Sequence, residues 1–219
     1  MDVSVIDPYA MPGRDPLVEN RVSWSLDARR SALVVLNMQG FFLRPYAPGT
    51  SPLDPLLAAC SDLLETCRSL RVPVVHMVQP GTQAPGERGL LTDFWGKGPD
   101  DALEDAAIPH ELAPDASGAV LTAWRYSAFF GSGLERHLRS LGRDQIVICG
   151  LYAHLNCVAT ALDAFSHNLE VFLAADAVAD LSADEHRAAL SWAAGCCAVV
   201  KPAAAFTAQL LGAARPVPE

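Results

Sequence analysis

The sequence predicts an α/β fold, a three-layer αβα sandwich around a central, mostly parallel six-stranded sheet. Three observations predict it. Short apolar runs recur without the polar alternation of a half-exposed strand, as they do in strands covered on both faces. Segments of helical period separate those runs, and such alternation closes parallel pairs through right-handed crossovers. With 219 residues, 51% of them hydrophobic and 19% charged, the chain is long enough to bury one full core and fits a single domain.

The elements follow in order. Residues 1–30 carry Pro8, Pro12, Gly13 and Pro16 and read as an irregular N-terminal arm. Trp24 favours packing of that arm on the domain or on a partner subunit. The domain spans residues 31–213 and a tail spans 214–219. Residues 32–36, Ala-Leu-Val-Val-Leu, are the first strand. Over residues 54–70, Leu56, Leu57, Cys60, Leu63, Leu64 and Cys67 share one helical face. Residues 72–78 are the second strand. Residues 79–118, rich in Gly, Pro and Asp, form a long excursion, and excursions of that length in compact domains are usually functional. Strands follow at 120–122, 145–149, 169–174 and 198–200, with helices at 134–141, 154–167, 184–194 and 203–211.

Composition narrows the function. The net charge of −9 and an isoelectric point near 5.0 argue against nucleic acid as the main partner. No apolar run approaches the ~20 residues that span a bilayer. The first residues lack a basic segment followed by an apolar one, so a cytoplasmic location is expected. The six cysteines read as free buried thiols in a reducing compartment, and neither they nor the six scattered histidines have metal-ligand spacing. No cofactor and no metal are expected.

In a parallel sheet, ligands sit beyond the carboxyl ends of the strands. Those ends are Asn37, Gln79, Ala123 and the turn at Gly150. The run Gly150-Leu151-Tyr152-Ala153-His154-Leu155-Asn156-Cys157 reads as a strand, a tight turn and a helix start, a geometry that aims N–H groups and one side chain into a pocket. Asn156 stands where such a turn presents a nucleophile. Cys157 is one residue on, about 100° around the helix, and reads as a core thiol.

The strings Val34-Val35-Leu36-Asn37-Met38-Gln39, Gln79-Pro80-Gly81, Thr122-Ala123-Trp124-Arg125-Tyr126-Ser127-Ala128-Phe129-Phe130, Gly150-Leu151-Tyr152-Ala153-His154 and Ala174-Ala175-Asp176-Ala177-Val178-Ala179-Asp180 occur in this order. From Trp24 to Val200 the chain resembles the isochorismatase family, and within it the phenazine-pathway branch that acts on 2-amino-2-deoxyisochorismate. The resemblance implies a cofactor-free hydrolase that forms homodimers or larger homo-oligomers. It also implies two chemistries. Cysteine hydrolases of the family use an Asp, a Lys and a Cys on the strand ends. Isochorismatases lack the Cys and use the Asp as a general acid on a vinyl ether, releasing pyruvate.

The positions matching Asp, Lys and Cys are Asn37, Ala123 and Asn156. An amide has no proton to give near neutral pH, and alanine has neither charge nor donor. The substrate-binding positions that the resemblance implies are Phe42, Gln79, Arg88, Trp95, Tyr126, Leu151 and Tyr152. Arg88 suits a carboxylate. From the residues alone, Tyr126 and Trp124 read as core aromatics and Arg88 as a solvated loop charge. His154 reads as structural, Asp93, Lys97 and Glu87 as solvated loop charges, and Asp176 and Asp180 as caps of the turn after the fifth strand. The expected function is binding of a chorismate-derived or related cyclic carboxylic acid in secondary metabolism, by a repurposed enzyme. Two alternatives stay open: an active-site mutant of a true isochorismatase, and a non-catalytic binding or scaffold protein.

Overall fold

The computed structural model describes residues 5–12 and 18–213; the expected tail at 214–219 and part of the arm lie outside them. Six strands form one all-parallel sheet: β1 (Ser31–Leu36), β2 (Val74–Val78), β3 (Ala119–Thr122), β4 (Gln145–Leu151), β5 (Glu170–Ala179) and β6 (Val199–Lys201). Their order across the sheet is β3-β2-β1-β4-β5-β6. The helices are α1 (Gly40–Leu43), α2 (Leu53–Ser69), α3 (Pro85–Arg88), α4 (Leu91–Trp95), α5 (Leu103–Ala106), α6 (Leu134–Ser140), α7 (Val158–Ser166), α8 (Ala183–Cys196) and α9 (Ala203–Ala213).

Alternate residues of one strand enter opposite cores, which explains the unbroken apolar runs. Leu33 and Val35 pack with Leu56, Leu63, Phe206 and Leu210 of α2 and α9. Val34 and Leu36 pack with Leu134, Leu138, Ala161 and Leu190 of α6, α7 and α8. Each layer of helices therefore seals one face of the sheet.

β1 lies between β2 and β4, so the chain leaves β1 toward one edge and later continues toward the other. That reversal opens a crevice at the carboxyl ends of β1 and β4, where open α/β sheets bind ligands.

Several boundaries differ from the sequence reading. β5 runs to Ala179 rather than ending at 174, because Ala177, Val178 and Ala179 are buried and Gly150 and Leu151 pair with Val178 and Ala179 beyond an irregularity in the ladder. Asp176, the polar break that hides this extension, accepts a hydrogen bond from Ala203 N at 2.6 Å and so caps α9 rather than the turn after β5. β2 starts at Val74, since Pro73 has no N–H to give the ladder. The excursion at 79–118 holds α3, α4, α5 and a 3₁₀ turn at His110–Leu112. The described parts of the arm pack on the domain itself: Ile6 is buried and pairs with Tyr46, and Asn20 bonds both N–H and C=O of Val200. Of the cysteines, all are free and Cys196 alone is exposed, on the outer surface at the end of α8.

Candidate active site

The crevice holds a pocket lined by Phe41, Phe42, Gln79, Arg88, Leu91, Trp95, Tyr126, Tyr152, Leu155 and Asn156. The cavity is partly open to solvent and its volume is about 40 Å³, less than a ring acid fills, so such a ligand enters only as the side chains of the wall move apart. Phe42, Gln79, Arg88, Trp95, Tyr126, Tyr152 and Asn156, each singled out in the sequence, thus meet on one cavity. Asn37, Ala123 and Leu151 do not line it.

The turn after β4 is built in two parts. Gly150 has φ +113° and lies against the Leu36 backbone of β1, so only a residue without Cβ fits. Residues Ala153–Cys157 then form one π-helical turn, with Cys157 N bonded to Tyr152 O at 3.1 Å, before α7 begins at Val158. The expected helix start at 154 is therefore a wider turn, of the kind frequent at functional sites. The π turn brings Asn156 to the cavity, 5% exposed, while Cys157 faces the core. Burial pushes the Cys157 thiol well above its ordinary range, so it is held as an unreactive thiol.

His154 and Asp180 hold this turn. Asp180, wholly buried, accepts from His154 N at 2.6 Å, His154 Nδ1 at 2.5 Å and Leu181 N at 2.9 Å. Tyr9 of the arm bonds the Asp180 N–H through its hydroxyl oxygen at 2.8 Å. His154 is thus structural, and Asp180 ties the π turn to β5 as well as capping its own turn. His154, Asp180 and Glu185 place candidate metal-ligand atoms within 4.8 Å of one another, but Asp180 is taken by these N–H donors and Glu185 Oε2 accepts from Ser182 Oγ.

The hydrogen bond to Asp180 raises the His154 pKa above its ordinary value, against opposing desolvation. The folded state therefore binds this proton more tightly than the unfolded chain does. The stabilisation is complete below about pH 6.5 and fades as pH rises through the higher folded value. His154→Gln should lower the melting temperature more at pH 6 than at pH 9. An equal drop at both pH values would contradict this assignment.

Among the described residues Arg88 is the only charged side chain on the cavity wall. It is 3% exposed and so is no solvated loop charge. Its donors meet neutral oxygens alone: Nε bonds Gly96 O at 2.6 Å, and Nη1 reaches Gln83 Oε1 at 3.2 Å and Gln79 Oε1 at 3.4 Å. Nη2 has no protein acceptor among the described residues. Burial, and after it the like charge of Arg125, pushes the guanidinium pKa down. Gly98, at φ +77°, leaves the space the guanidinium occupies; a Cβ there would overlap it.

Gln79 is fixed by Gln39, whose Nε2 donates to Gln79 O at 3.0 Å and whose Oε1 accepts from Gln79 N at 2.7 Å. Gln39 is absent from the sequence expectations, and its signal is an amide three residues past the end of β1. Tyr126 joins two walls: its hydroxyl accepts from Trp95 Nε1 at 2.7 Å, and its carbonyl accepts from Asn156 Nδ2 at 3.2 Å. Tyr152 donates to Phe42 O at 3.1 Å, and burial raises its pKa, so it stays protonated. Phe41, Leu91 and Leu155 complete the apolar walls. Glu87, Asp93 and Lys97 are exposed and off the cavity.

Asn37 follows β1 at φ +52°, a left-handed conformation that asparagine tolerates. Its Nδ2 donates to Leu151 O at 3.1 Å, and its Oδ1 is buried without a partner among the described residues. Leu151 contributes that carbonyl while its side chain fills the core. Ala123 is buried with Met77 and Ala128.

The Isochorismatase domain model matches residues 31–205. The chain belongs to the isochorismatase family. It is 43% identical over 198 residues to an isochorismatase from Bacillus subtilis, covering 90% of this chain and 64% of that longer protein. It is also 43% identical over 195 residues to a phenazine biosynthesis protein from Pseudomonas aeruginosa, covering 89% of this chain and 93% of that one. Against enterobactin synthase component B of Escherichia coli the identity is 37%, covering 89% and 68%. Among solved structures, an isochorismatase family protein from Burkholderia thailandensis superposes with TM-score 0.75 at 26% identity, covering 86% of this chain and all (100%) of that one. A cysteine hydrolase from Pseudomonas syringae shares the fold, with TM-score 0.79 at 22% identity and coverage of 88% and 97%. In this isochorismatase-family chain no lining residue among those described is an Asp, Glu, Lys, His or Cys. No helix is long and apolar enough to cross a membrane among the described residues.

Proposed function

We propose that this isochorismatase-family chain binds a small cyclic carboxylic acid, chorismate-derived or closely related, and does not hydrolyse a vinyl ether by the general-acid route. The observation that carries this reading is Arg88: a buried cation on an otherwise neutral cavity wall, with only neutral oxygens for partners. A desolvated guanidinium without a counter-charge is costly, and a ligand carboxylate supplies the charge and a planar pair of acceptors. The phenylalanines, Leu91, Trp95 and Leu155 suit the face of a ring. Tyr126, whose oxygen already accepts from Trp95, has its O–H free to donate.

Against acid catalysis stand Asn37 and Ala123. The Asn37 amide is spent on the Leu151 carbonyl and has no transferable proton near pH 7. An Asp in its place would meet the same carbonyl with a carboxyl oxygen, a contact satisfied only by the protonated acid. That environment is the one a general acid needs.

The double change Asn37→Asp with Ala123→Lys tests this. Isochorismate and its 2-amino analogue are incubated with each protein and pyruvate is measured. The unmodified chain should stay at the uncatalysed background, and a rise of about 10²-fold in the double variant, the scale of general acid–base catalysis, requires the new side chains at 37 and 123 to reach in from behind the cavity wall. Equal and rapid release by the unmodified chain would overturn the reading.

A further inference from the structure

Asn156 orients its amide unambiguously. Its partner, the Tyr126 carbonyl, can only accept, so the atom at 3.2 Å is Nδ2 and the other face of the amide is the oxygen. Oδ1 has no donor among the described residues, and it is not sealed in the core as Asn37 Oδ1 is. The residue itself is buried and lines the cavity, so this oxygen is offered to the cavity. The other lining amide, Gln79, already receives Arg88 Nη1. The wall thus pairs one uncompensated cation with one uncompensated amide acceptor, amid apolar side chains.

We propose that Asn156 is a specificity-determining residue that selects carboxylic acids bearing an O–H or N–H donor away from the carboxylate. The inference rests on the binding reading above and names the second group of the ligand. An acceptor walled by apolar residues loses its water when a ligand enters and regains a partner only if the ligand donates. A pocket built this way rejects an isostere that lacks the donor.

The test is calorimetric titration with the three ring isomers of hydroxybenzoate and the matching methylbenzoates. The proteins are the unmodified chain, Asn156→Leu, Asn156→Gly and Arg88→Met. The unmodified chain should bind at least one hydroxy acid about tenfold more tightly than its methyl isostere. In Asn156→Leu that ratio should fall to about one, and Asn156→Gly, which only removes atoms, should do the same if the leucine variant does not fold. Arg88→Met should weaken both members of the pair. Equal affinity for hydroxy and methyl acids in the unmodified chain, with Arg88 still required, would overturn the role of Asn156 and leave the binding reading standing. A preference that survives in Asn156→Gly would also overturn it. Absence of binding by every acid would remove both.

Discussion

Gly150→Ala should lower the melting temperature by about 10 °C or more, or leave the chain unfolded. The cause is local and double. A Cβ at position 150 would overlap the Leu36 carbonyl and lie 2.8 Å from Leu36 N, and both belong to the central strand. The φ of +113° is in a region that residues with a side chain rarely adopt. Forbidden backbone and overpacking each cost on the order of 1–3 kcal/mol, against a total stability of about 5–15 kcal/mol. For a chain of this size each kcal/mol is worth roughly 2–4 °C. Gly142→Ala is the control: its φ is also left-handed, at +64°, but nothing lies within 4 Å of the added methyl. It should cost about 1 kcal/mol. Thermal unfolding of both variants checks the contrast, and similar melting temperatures for the two would show that β1 and β4 do not need their close approach.

Arg88→Met should weaken binding of a ring carboxylate by about 100-fold or more, the scale of losing one partner of a buried, hydrogen-bonded charge pair. Stability should move the other way or hold. In the free protein the guanidinium has no counter-charge among the described residues, so a methionine of similar length removes a desolvation cost that offsets the hydrogen bonds to neutral oxygens it gives up. Weaker binding with an unchanged or higher melting temperature separates a ligand-binding arginine from a structural one. Large losses in both would instead make Arg88 a brace of the loop that carries it.

The physical reasons for what the sequence disclosed are specific. Strands β1 and β4 were legible because both faces are covered, so every residue apart from Gln145 is apolar or small. The far half of β5 was not, because Asp176 interrupts its run, and the partner that explains it, Ala203, is 27 residues away. The short helices of the excursion span four or five residues, fewer than two helical turns, and leave no periodic signal.

The site was legible to a similar depth. Residues with hydrogen-bonding or aromatic side chains could be named, and all of the candidate site residues of that kind except Asn37 meet on one cavity. Phe41, Leu91 and Leu155 were missed because an apolar side chain in a short helix or turn carries no chemical signature. The burial of Arg88 depends on the space left by Gly98, a tertiary feature that composition cannot show. The resemblance puts Leu151 in the pocket, whereas its neighbour Tyr152 reaches the cavity and Leu151 turns into the core.

The most direct measurement is a calorimetric titration of the unmodified chain with isochorismate, followed by assay of the same solution for pyruvate. Saturable binding that disappears in Arg88→Met, with no pyruvate above the uncatalysed background, is the expected result. Rapid pyruvate release, or binding indifferent to Arg88, would contradict it.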